Sequence, residues 1–397
     1  MISLEDFFDR VQIQIEGKLP FTVYKKPEEE IIHAILQNDD KLNRIKDYSE
    51  SGFVFSPFDT DKAKPIIIPL SNAKPVSTFF IKSETHDKSL MDVSEPFHFP
   101  LRKVDHNKVV QNALNAIDKN EIVKVVVSRA EKVDMSDKNI MTLLKKLLNT
   151  YPGAFVYLWY HPKIGTWMGA SPETLLNIEE NQFKTMALAG TQPFMDIMEV
   201  EWGEKEIEEQ QLVVDSIINK LRNEDHDLKV SPRFTVKAGN VLHLRTDISG
   251  KIENADFSLQ NLVETLHPTP AVCGLPTDKA KEFISKNENY DREFYTGFLG
   301  ELNIPRFKIN EEEEEEGNEE DIKAARKKNK RDKVEEKTEK PNYTNRISNL
   351  YVNLRCMKIL GAQAIIYVGG GITKSSDLES EWNETVNKTK VMKKVLF

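Results

Sequence analysis

Residues 154–188 read AFVYLWYHPKIGTWMGASPETLLNIEENQFKTMAL, and this stretch decides the class of fold. Segments 154–160, 175–178 and 183–188 are rich in aromatic and aliphatic residues, as strands are, and turns with Gly and Pro separate them. Strands that follow one another so closely leave no room for helical crossovers, so they must pair antiparallel. The stretch therefore predicts the α+β class, with mostly antiparallel sheets packed against helices, and argues against a doubly wound parallel sheet.

Helices and further strands are predicted on both sides of this stretch, from the period of the apolar residues. The predicted helices lie near residues 106–117, 140–148, 201–222 and 257–266, with a last one starting at about Asp377. The further strands lie near residues 233–238, 241–252, 350–354 and 364–368. Val123, Val125 and Val127 also alternate as a strand does, so Lys124 should face away from these valines.

Two segments carry no chemical motif. Residues 1–100 contain short strands such as Phe21–Val23 and Ile66–Pro69 and are predicted to be scaffold. Residues 311–340 start with six glutamates and continue with mixed charges, which is too polar to bury. We expect a disordered, solvated insertion there, while a helical charged arm or a partner-binding tail remains the alternative.

Composition excludes several classes of protein. The length of 397 residues suits two average domains or one large one. A formal net charge of -9 argues against a general nucleic-acid binder, which needs a basic face. Cys273 and Cys356 lie far apart without the spacing of a zinc site. The acidic start and the lack of a long apolar run argue against export and membrane insertion, so a cytoplasmic protein is expected.

The last predicted helix carries Glu381, Glu384 and Lys388, whose spacings of three and four place them on one face. Two carboxylates in this arrangement can help to hold a hard divalent cation, and the ammonium group can bind an anion beside it. Taken alone, an exposed ion pair between Glu384 and Lys388 explains the same pattern.

A run of three glycines precedes this helix, in Tyr367-Val-Gly-Gly-Gly-Ile-Thr373. It should end a strand, and Ser376-Asp-Leu-Glu379 should form a capping box that opens the helix. Glycines there let backbone amides approach a ligand oxygen. The spacing is not that of a nucleotide-binding loop, so a carboxylate is a better candidate ligand than a pyrophosphate.

Three further residues could carry chemistry. Glu209 shares a helix face with Leu212 and Val213, which turns its carboxylate toward the interior, where it needs a cation; a head group at the rim in water is the alternative. Lys124 on its strand, and Glu173 in Gly169-Ala-Ser-Pro-Glu-Thr-Leu-Leu176, could act as base and acid, because burial lowers a lysine pKa and raises a glutamate pKa. A surface lysine and a turn-starting glutamate are the alternatives.

Taken together, these segments resemble the chorismate-utilising enzymes, the family of anthranilate, aminodeoxychorismate, isochorismate and salicylate synthases. The resemblance runs from about Asp105 to the end, without the charged insertion. The matching segments, in family order, are Lys124–Arg129 (KVVVSR), Gly169–Leu176 (GASPETLL), Leu188–Thr191 (LAGT), Leu266–Gly274 (LHPTPAVCG), Asp291–Tyr295 (DREFY), Asn353–Cys356 (NLRC), Gly369–Ile372 (GGGI) and Glu381–Lys388 (EWNETVNK).

The resemblance implies a fold and a cofactor. It implies one α+β domain over residues 1–397, with two large, mostly antiparallel sheets that pack orthogonally between helices. It also implies Mg²⁺ with Glu209 and Glu384 as principal ligands and Glu381 in support, the metal holding the ring carboxylate of chorismate. The residues implied to line the substrate are Gly190, His243, Ala271, Tyr295, Arg355, Gly369, Gly371 and Lys388.

The implied reaction depends on Lys124, which stands where isochorismate and salicylate synthases carry the lysine that activates water. Lys124 would take a proton from water attacking C2, and Glu173 would give a proton to the leaving C4 hydroxyl, producing isochorismate. Ala271 matches the isochorismate-forming relatives, since salicylate-forming ones tend to carry a threonine there. The product would feed menaquinone or catechol siderophore synthesis.

Three alternatives remain open. Elimination of pyruvate from isochorismate would make this a salicylate synthase. An amine-adding synthase would need ammonia or a glutaminase subunit, and none is expected here. A noncatalytic protein that binds chorismate or metal is the third possibility. We expect a monomer that binds a small molecule, without nucleic-acid or membrane partners.

Overall fold

The computed structural model describes residues 1–81, 100–137, 139–195, 197–222, 227–238, 241–252, 257–305 and 346–397, so the predicted insertion at 311–340 lies outside the described residues. The helices are α1 (Leu4–Glu16), α2 (Pro100–Asp118), α3 (Ile140–Thr150), α4 (Glu204–Arg222), α5 (Leu259–Leu266), α6 (Thr277–Asn287) and α7 (Leu378–Leu396). A short 3-10 helix spans Leu70–Asn72. None of the described helices is both long and apolar enough to span a bilayer.

The strands are short and numerous, as the close spacing of the predicted ones indicates. They are β1 (Phe21–Lys25), β2 (Ile31–Gln37), β3 (Asn43–Arg44), β4 (Gly52–Ser56), β5 (Ile66–Pro69), β6 (Ala73–Phe79), β7 (Lys124–Asp134), β8 (Phe155–His161), β9 (Gly165–Ser171), β10 (Thr174–Glu179), β11 (Gln182–Pro193), β12 (Leu228–Val230), β13 (Phe234–Ala238), β14 (Val241–Lys251), β15 (Gly274–Leu275), β16 (Phe298–Pro305), β17 (Arg346–Val352), β18 (Cys356–Leu360) and β19 (Gln363–Ile372).

In the described part of the chain these strands form two sheets. The order in the first sheet is β15-β7-β19-β18-β9-β8-β1-β2-β6, and the order in the second is β12-β14-β11-β10-β17-β16-β4-β5-β3, with β13 also paired to β14. Every strand pair is antiparallel. The predicted α+β class with two large antiparallel sheets is therefore confirmed.

The sheets and helices pack as four layers. Helices α1, α3 and α7 cover the outer face of the first sheet with an aliphatic cluster that includes Leu147 and Val395. Helices α4 and α5 cover the second sheet through residues such as Val213 and Leu262. Because each sheet is apolar on both faces, the remaining inner faces pack against each other.

Aromatic rings join the two sheets. Phe155 on β8 stacks on Tyr351 on β17, with ring centroids 4.0 Å apart. Phe55 on β4 lies 4.6 Å from Trp159 on β8 and 4.2 Å from Phe294, which follows α6. All of these rings are buried. Stacked rings of this size contribute both apolar burial and specific geometry, and they fix the distance between the sheets beside the cavity described below.

Several local predictions are wrong. The strand with Tyr367 does not end at its three glycines, because β19 continues through them to Ile372. Ser376 does not cap the last helix; Asp377 does, accepting bonds from the backbone N–H groups of Glu379 and Ser380. Strand β9 was not predicted, since its Gly, Ala and Thr residues lack a clear alternation. The long helix begins at Glu204, three residues later than predicted.

The buried aromatic rings between the two sheets, here called the aromatic layer, lead to a prediction about stability. Phe155→Ala should lower the free energy of unfolding by about 3–5 kcal/mol, because it removes a fully buried ring and leaves a cavity between the sheets. Urea denaturation followed by tryptophan fluorescence measures this loss. Phe79→Ala, on the exposed end of β6, is the control and should change stability by less than about 0.5 kcal/mol. A loss below about 1 kcal/mol for Phe155→Ala would contradict the role of the aromatic layer.

Candidate active site

A cavity that is partly open to solvent lies among elements of both sheets and of α4 and α7. The empty space in it, open solvent included, is about 560 Å³. Eleven of the thirteen predicted site residues line it, namely Glu173, Gly190, Glu209, His243, Ala271, Tyr295, Arg355, Gly369, Gly371, Glu384 and Lys388. Lys124 and Glu381 lie just behind this lining. Residues that are distant in sequence are therefore brought together as predicted.

Lys124 lies behind the cavity lining, in contact with the lining residue Glu209. Its side chain is completely buried, and its Nζ lies 3.0 Å from Oε1 of Glu209 on α4, whose side chain is 13% exposed. The inward orientation predicted for Glu209 is confirmed, and Lys124 faces away from Val125 and Val127 as predicted. Val125 and Val127 point the other way, into a cluster formed with α2 and α6, whereas Val123 precedes the strand and is half exposed.

The three glycines of β19 leave room for the charged groups. A Cβ on Gly371 would lie 2.2 Å from Oε1 of Glu209 and 3.0 Å from Cε of Lys124. A Cβ on Gly370 would lie 3.1 Å from Oε2 of Glu381, and one on Gly369 would lie 3.1 Å from the Tyr295 hydroxyl. Because glycine has no side chain, a carboxylate and an ammonium group can lie directly against the strand at these positions.

Glu173 is held by its backbone while its carboxyl faces the cavity. Its N–H donates to the Ser171 hydroxyl, its carbonyl accepts from the N–H of Val352, and the Ser171 hydroxyl donates to the Val352 carbonyl. Oε1 of Glu173 is buried without a hydrogen-bond partner. Burial raises the pKa of Glu173 to about 8, although Lys124 and Arg355 act in the opposite direction. This carboxyl is therefore suited to carry a proton near neutral pH.

Arg355 and His243 form one wall. Arg355 is buried with a backbone φ of 47°, a left-handed conformation that is rare for a residue with a side chain. Its Nη2 donates to Nε2 of His243, 3.1 Å away, and the Nδ1 of His243 then donates to the carbonyl of Gly190. Burial, with Arg355 and Lys388 nearby, lowers the pKa of His243 to about 3, so the ring is neutral. Nε of Arg355 is buried without a partner and can bind a ligand.

Lys388 and Tyr295 complete the polar lining. Nζ of Lys388 donates to the carbonyl of Gly369, 2.8 Å away, and forms an ion pair with Glu384. The ion pair between Glu384 and Lys388, which an exposed helix would also form, is thus present, but it lies at the cavity and both side chains are mostly buried. Ala271 also lines the cavity and packs against the apolar cluster under α4 and α5.

Lys205 was not predicted. It lies on α4, one turn before Glu209, and its Nζ is 2.6 Å from Oε1 of Glu381. Burial alone would lower the pKa of Lys205, but the carboxylates of Glu381, Glu384 and Glu209 outweigh burial and raise this pKa above its usual value. The i, i+4 spacing of Lys205 and Glu209 was a visible signal, but such pairs are common on exposed helices. Thr191 and Thr296 also line the cavity and were not predicted.

Three carboxylates at the cavity therefore each contact a lysine. Glu209 contacts Lys124, Glu384 contacts Lys388, and Glu381 contacts Lys205. Burial and the nearby Glu384 raise the pKa of Glu381, while Lys388 outweighs burial and lowers the pKa of Glu384. The arrangement concentrates negative charge that lysines compensate.

The donor set fits a hard divalent cation. Carboxylate oxygens are the ligands that Mg²⁺ prefers, and Oε2 of Glu381 is buried without a hydrogen-bond partner. Within the described ranges, no three acidic, histidine or cysteine side chains already converge as a metal centre would require. The three glutamates would thus have to exchange lysine contacts for the metal, which side-chain rotation can achieve.

Comparison with known proteins identifies relatives of this chain. The model of a family described as chorismate binding enzyme matches residues 82–305 and 343–397. The isochorismate synthase MenF of Escherichia coli strain K12 is 27% identical over 366 residues, which cover 89% of this chain and 71% of that protein. The isochorismate synthase EntC of the same strain is 27% identical over 376 residues, covering 90% of this chain and 84% of EntC.

A solved structure supports the same fold. The structure of MenF from Escherichia coli, described as a menaquinone-specific isochorismate synthase, superposes with a TM-score of 0.68 at 22% identity. The superposition covers 95% of this chain and 89% of that one. At this identity the likeness establishes the fold alone.

Glu173 generates a prediction about the pH dependence of stability. Its pKa is about 8 in the folded protein and 4.5 for an unperturbed glutamate, as in the unfolded chain, so protonation of Glu173 favours the folded state. This contribution is complete below pH 4.5 and is lost as the pH rises through about 8. Urea denaturation across this range should show a decline in wild-type stability that is clearly smaller in Glu173→Gln. Exposed Glu121→Gln should retain the wild-type decline, and an equal decline in all three proteins would contradict the assignment.

Proposed function

The chain belongs to the chorismate binding enzyme family, and we propose that it isomerises chorismate to isochorismate. One observation carries this proposal: a buried lysine and a buried, protonated carboxyl, Lys124 and Glu173, stand at the same cavity. Addition of water at one ring carbon with loss of a hydroxyl from another needs such a base and such an acid. The relatives named above carry the name isochorismate synthase, which supports the same reaction.

Lys124 acts as the base. In its neutral form it accepts a proton from water as the water oxygen forms a bond to C2 of chorismate. Its burial behind Gly371 and Glu209 shields the amine from bulk water. The electron pair of the ring double bond at C2 shifts along the ring toward C4.

Glu173 acts as the acid. Its proton passes to the C4 hydroxyl, whose bond to the ring breaks as water leaves. One water is added and one is released, so the product is an isomer of the substrate. The raised pKa of Glu173 and the clamp formed with Ser171 and Val352 keep the carboxyl protonated and in place.

The polar wall binds the carboxylates of chorismate. Arg355 offers a planar guanidinium with an unpartnered Nε, which suits bidentate binding of a carboxylate. Lys388 and Tyr295 add a cation and a hydroxyl at the rim. Neutral His243 holds Arg355 in position by accepting from its Nη2, so the guanidinium faces the substrate in one orientation.

Glu209 and Glu384 would hold Mg²⁺, with Glu381 in support. When bound there, Mg²⁺ would supply positive charge that binds the ring carboxylate of chorismate and stabilises charge on it. Helices α4 and α7 bring these carboxylates together at the cavity that Glu173 also lines.

The wider setting of the enzyme is inferred in the same way. We expect residues 1–397 to form one domain, because strands from the first hundred residues belong to both sheets. We expect a cytoplasmic monomer that needs no glutaminase subunit and whose product feeds menaquinone or catechol siderophore synthesis. Ala271 leaves the wall beside the substrate without a hydroxyl, which favours release of isochorismate over further conversion to salicylate.

Product analysis tests the proposal. Purified protein is incubated with chorismate in ammonia-free buffer, with Mg²⁺ or with a chelator, and the products are separated by chromatography with mass detection. Isochorismate that forms only with Mg²⁺ is the expected result. Salicylate with pyruvate would assign the enzyme to the salicylate synthases, and unchanged chorismate would favour an amine-adding or a noncatalytic protein.

Two substitutions test the roles of base and acid. Lys124→Ala and Glu173→Gln should each lower kcat by about 10²- to 10⁴-fold, because each removes one proton transfer. Lys132→Ala, an exposed lysine on the same strand as Lys124, is the matched control and should keep wild-type kcat. Wild-type turnover by Lys124→Ala would rule out the lysine as base.

A further inference from the structure

We propose that Lys205 is a built-in competitor of the metal: its ammonium group occupies the acidic cluster in the metal-free protein and leaves when a divalent cation binds. The inference rests on the proposed function only through the magnesium site. It assigns to Lys205 no catalytic role, since the residue does not line the cavity and has no part in the proton transfers.

The contacts of Lys205 place its charge where a cation is needed. Its Nζ lies 2.6 Å from Oε1 of Glu381, and the field of Glu384 and Glu209 acts on the same ammonium group. Glu381 is 1% exposed and its second oxygen has no hydrogen-bond partner. A buried carboxylate without a cation is costly, so Lys205 stabilises the cluster while no metal is present.

Exposure distinguishes Lys205 from the other two lysines of the cluster. The Lys124 side chain is fully buried, and the Lys388 side chain is 10% exposed and also tied to the carbonyl of Gly369. The Lys205 side chain is 25% exposed. Its long, flexible stem can therefore carry the ammonium group into water when a bound cation takes over the charge of Glu381.

The position of Lys205 also suits release. It is the second residue of α4, next to the exposed residues Gly203 and Glu204, so no packed helical turn precedes it. Glu209 lies one turn further along the same helix. A cation that draws Glu381, Glu384 and Glu209 together would repel the ammonium group at the helix start.

Lys103 on α2, which also pairs with a glutamate of α7, provides a matched control. Nζ of Lys103 lies 2.7 Å from Glu379, which precedes Glu381 on α7 by two residues. The two side chains of this pair are 37% and 62% exposed, so each charge remains hydrated when the other is removed. Replacing Lys103 changes the net charge of the protein as replacing Lys205 does, but outside the acidic cluster.

The test measures Mg²⁺ binding to the full chain without chorismate. Wild type, Lys205→Met and Lys103→Met are treated with chelator, dialysed and titrated with MgCl2 by calorimetry. Lys205→Met should bind Mg²⁺ about tenfold more tightly than wild type, because the metal no longer displaces an ion pair. Lys103→Met should stay within about twofold of wild type.

Thermal unfolding gives a second measurement. Without metal, Lys205→Met should unfold at a lower temperature than wild type, because Glu381 loses its cation, and saturating Mg²⁺ should remove most of the difference. Lys205→Arg keeps the charge and should bind Mg²⁺ no more tightly than wild type. If Lys205→Met does not fold, Lys205→Gln replaces it in both measurements.

Each outcome decides the matter. Equal or weaker Mg²⁺ binding by Lys205→Met would overturn the inference and would mean that Lys205 holds Glu381 in place for the metal, while the proposed reaction would stand. Absence of Mg²⁺ binding in wild type and in Lys205→Met would overturn the inference and the magnesium site together. Chorismate turnover is assayed separately, so failure of the proposed reaction is recognised independently.

Discussion

The ion pair between Lys124 and Glu209 links the two halves of the molecule at the cavity. Lys124 begins β7 of the first sheet, and Glu209 lies on α4, which covers the second sheet. Without metal, the Glu209 carboxylate stabilises a charge on the fully buried Lys124 side chain; a cation held by Glu209 would leave Lys124 free to act in its neutral form. The glycine at position 371 allows the two groups to meet, since any side chain there would overlap Glu209. The base, the metal ligand and the glycine-rich strand therefore depend on one another.

Negative and positive groups lie next to each other at the cavity. The carboxylates from α4 and α7 are each paired with a lysine, as Glu384 is with Lys388, whereas Arg355 donates to neutral His243. Burial raises the pKa of Glu173 and outweighs the opposing charges of Lys124 and Arg355, so this carboxyl holds its proton. Glutamates at one cavity thus serve as acid or as ligands because their surroundings differ.

Much of the fold class and of the candidate site could be predicted from the sequence. Alternating apolar residues located β8, β10, β11 and β14, and the spacing of Glu381, Glu384 and Lys388 placed these side chains on one helix face. Most residues of the cavity lining were named through the resemblance to the chorismate-utilising enzymes, because spacing and burial patterns alone left a structural alternative for each of them.

Other features could not be predicted, for physical reasons. Strand β9 has a short, small-residue sequence without a clear period, and it is fixed by its neighbours β8 and β18. Two adjacent polar residues could cap the last helix, and the choice of Asp377 over Ser376 depends on the tertiary path of the chain after β19. Lys205 contacts Glu381, 176 residues away, and such pairing is set by how α4 and α7 pack.

The most direct test of the central claim follows the oxygen atom. Chorismate is converted by the Mg²⁺-loaded enzyme in water enriched in ¹⁸O, and the mass of the product is measured with its fragments. The account predicts isochorismate with one ¹⁸O atom, located in the new hydroxyl at C2, because Lys124 activates a water molecule while the C4 hydroxyl leaves. Isochorismate without ¹⁸O would mean that the original hydroxyl migrates within the substrate, and it would contradict the account.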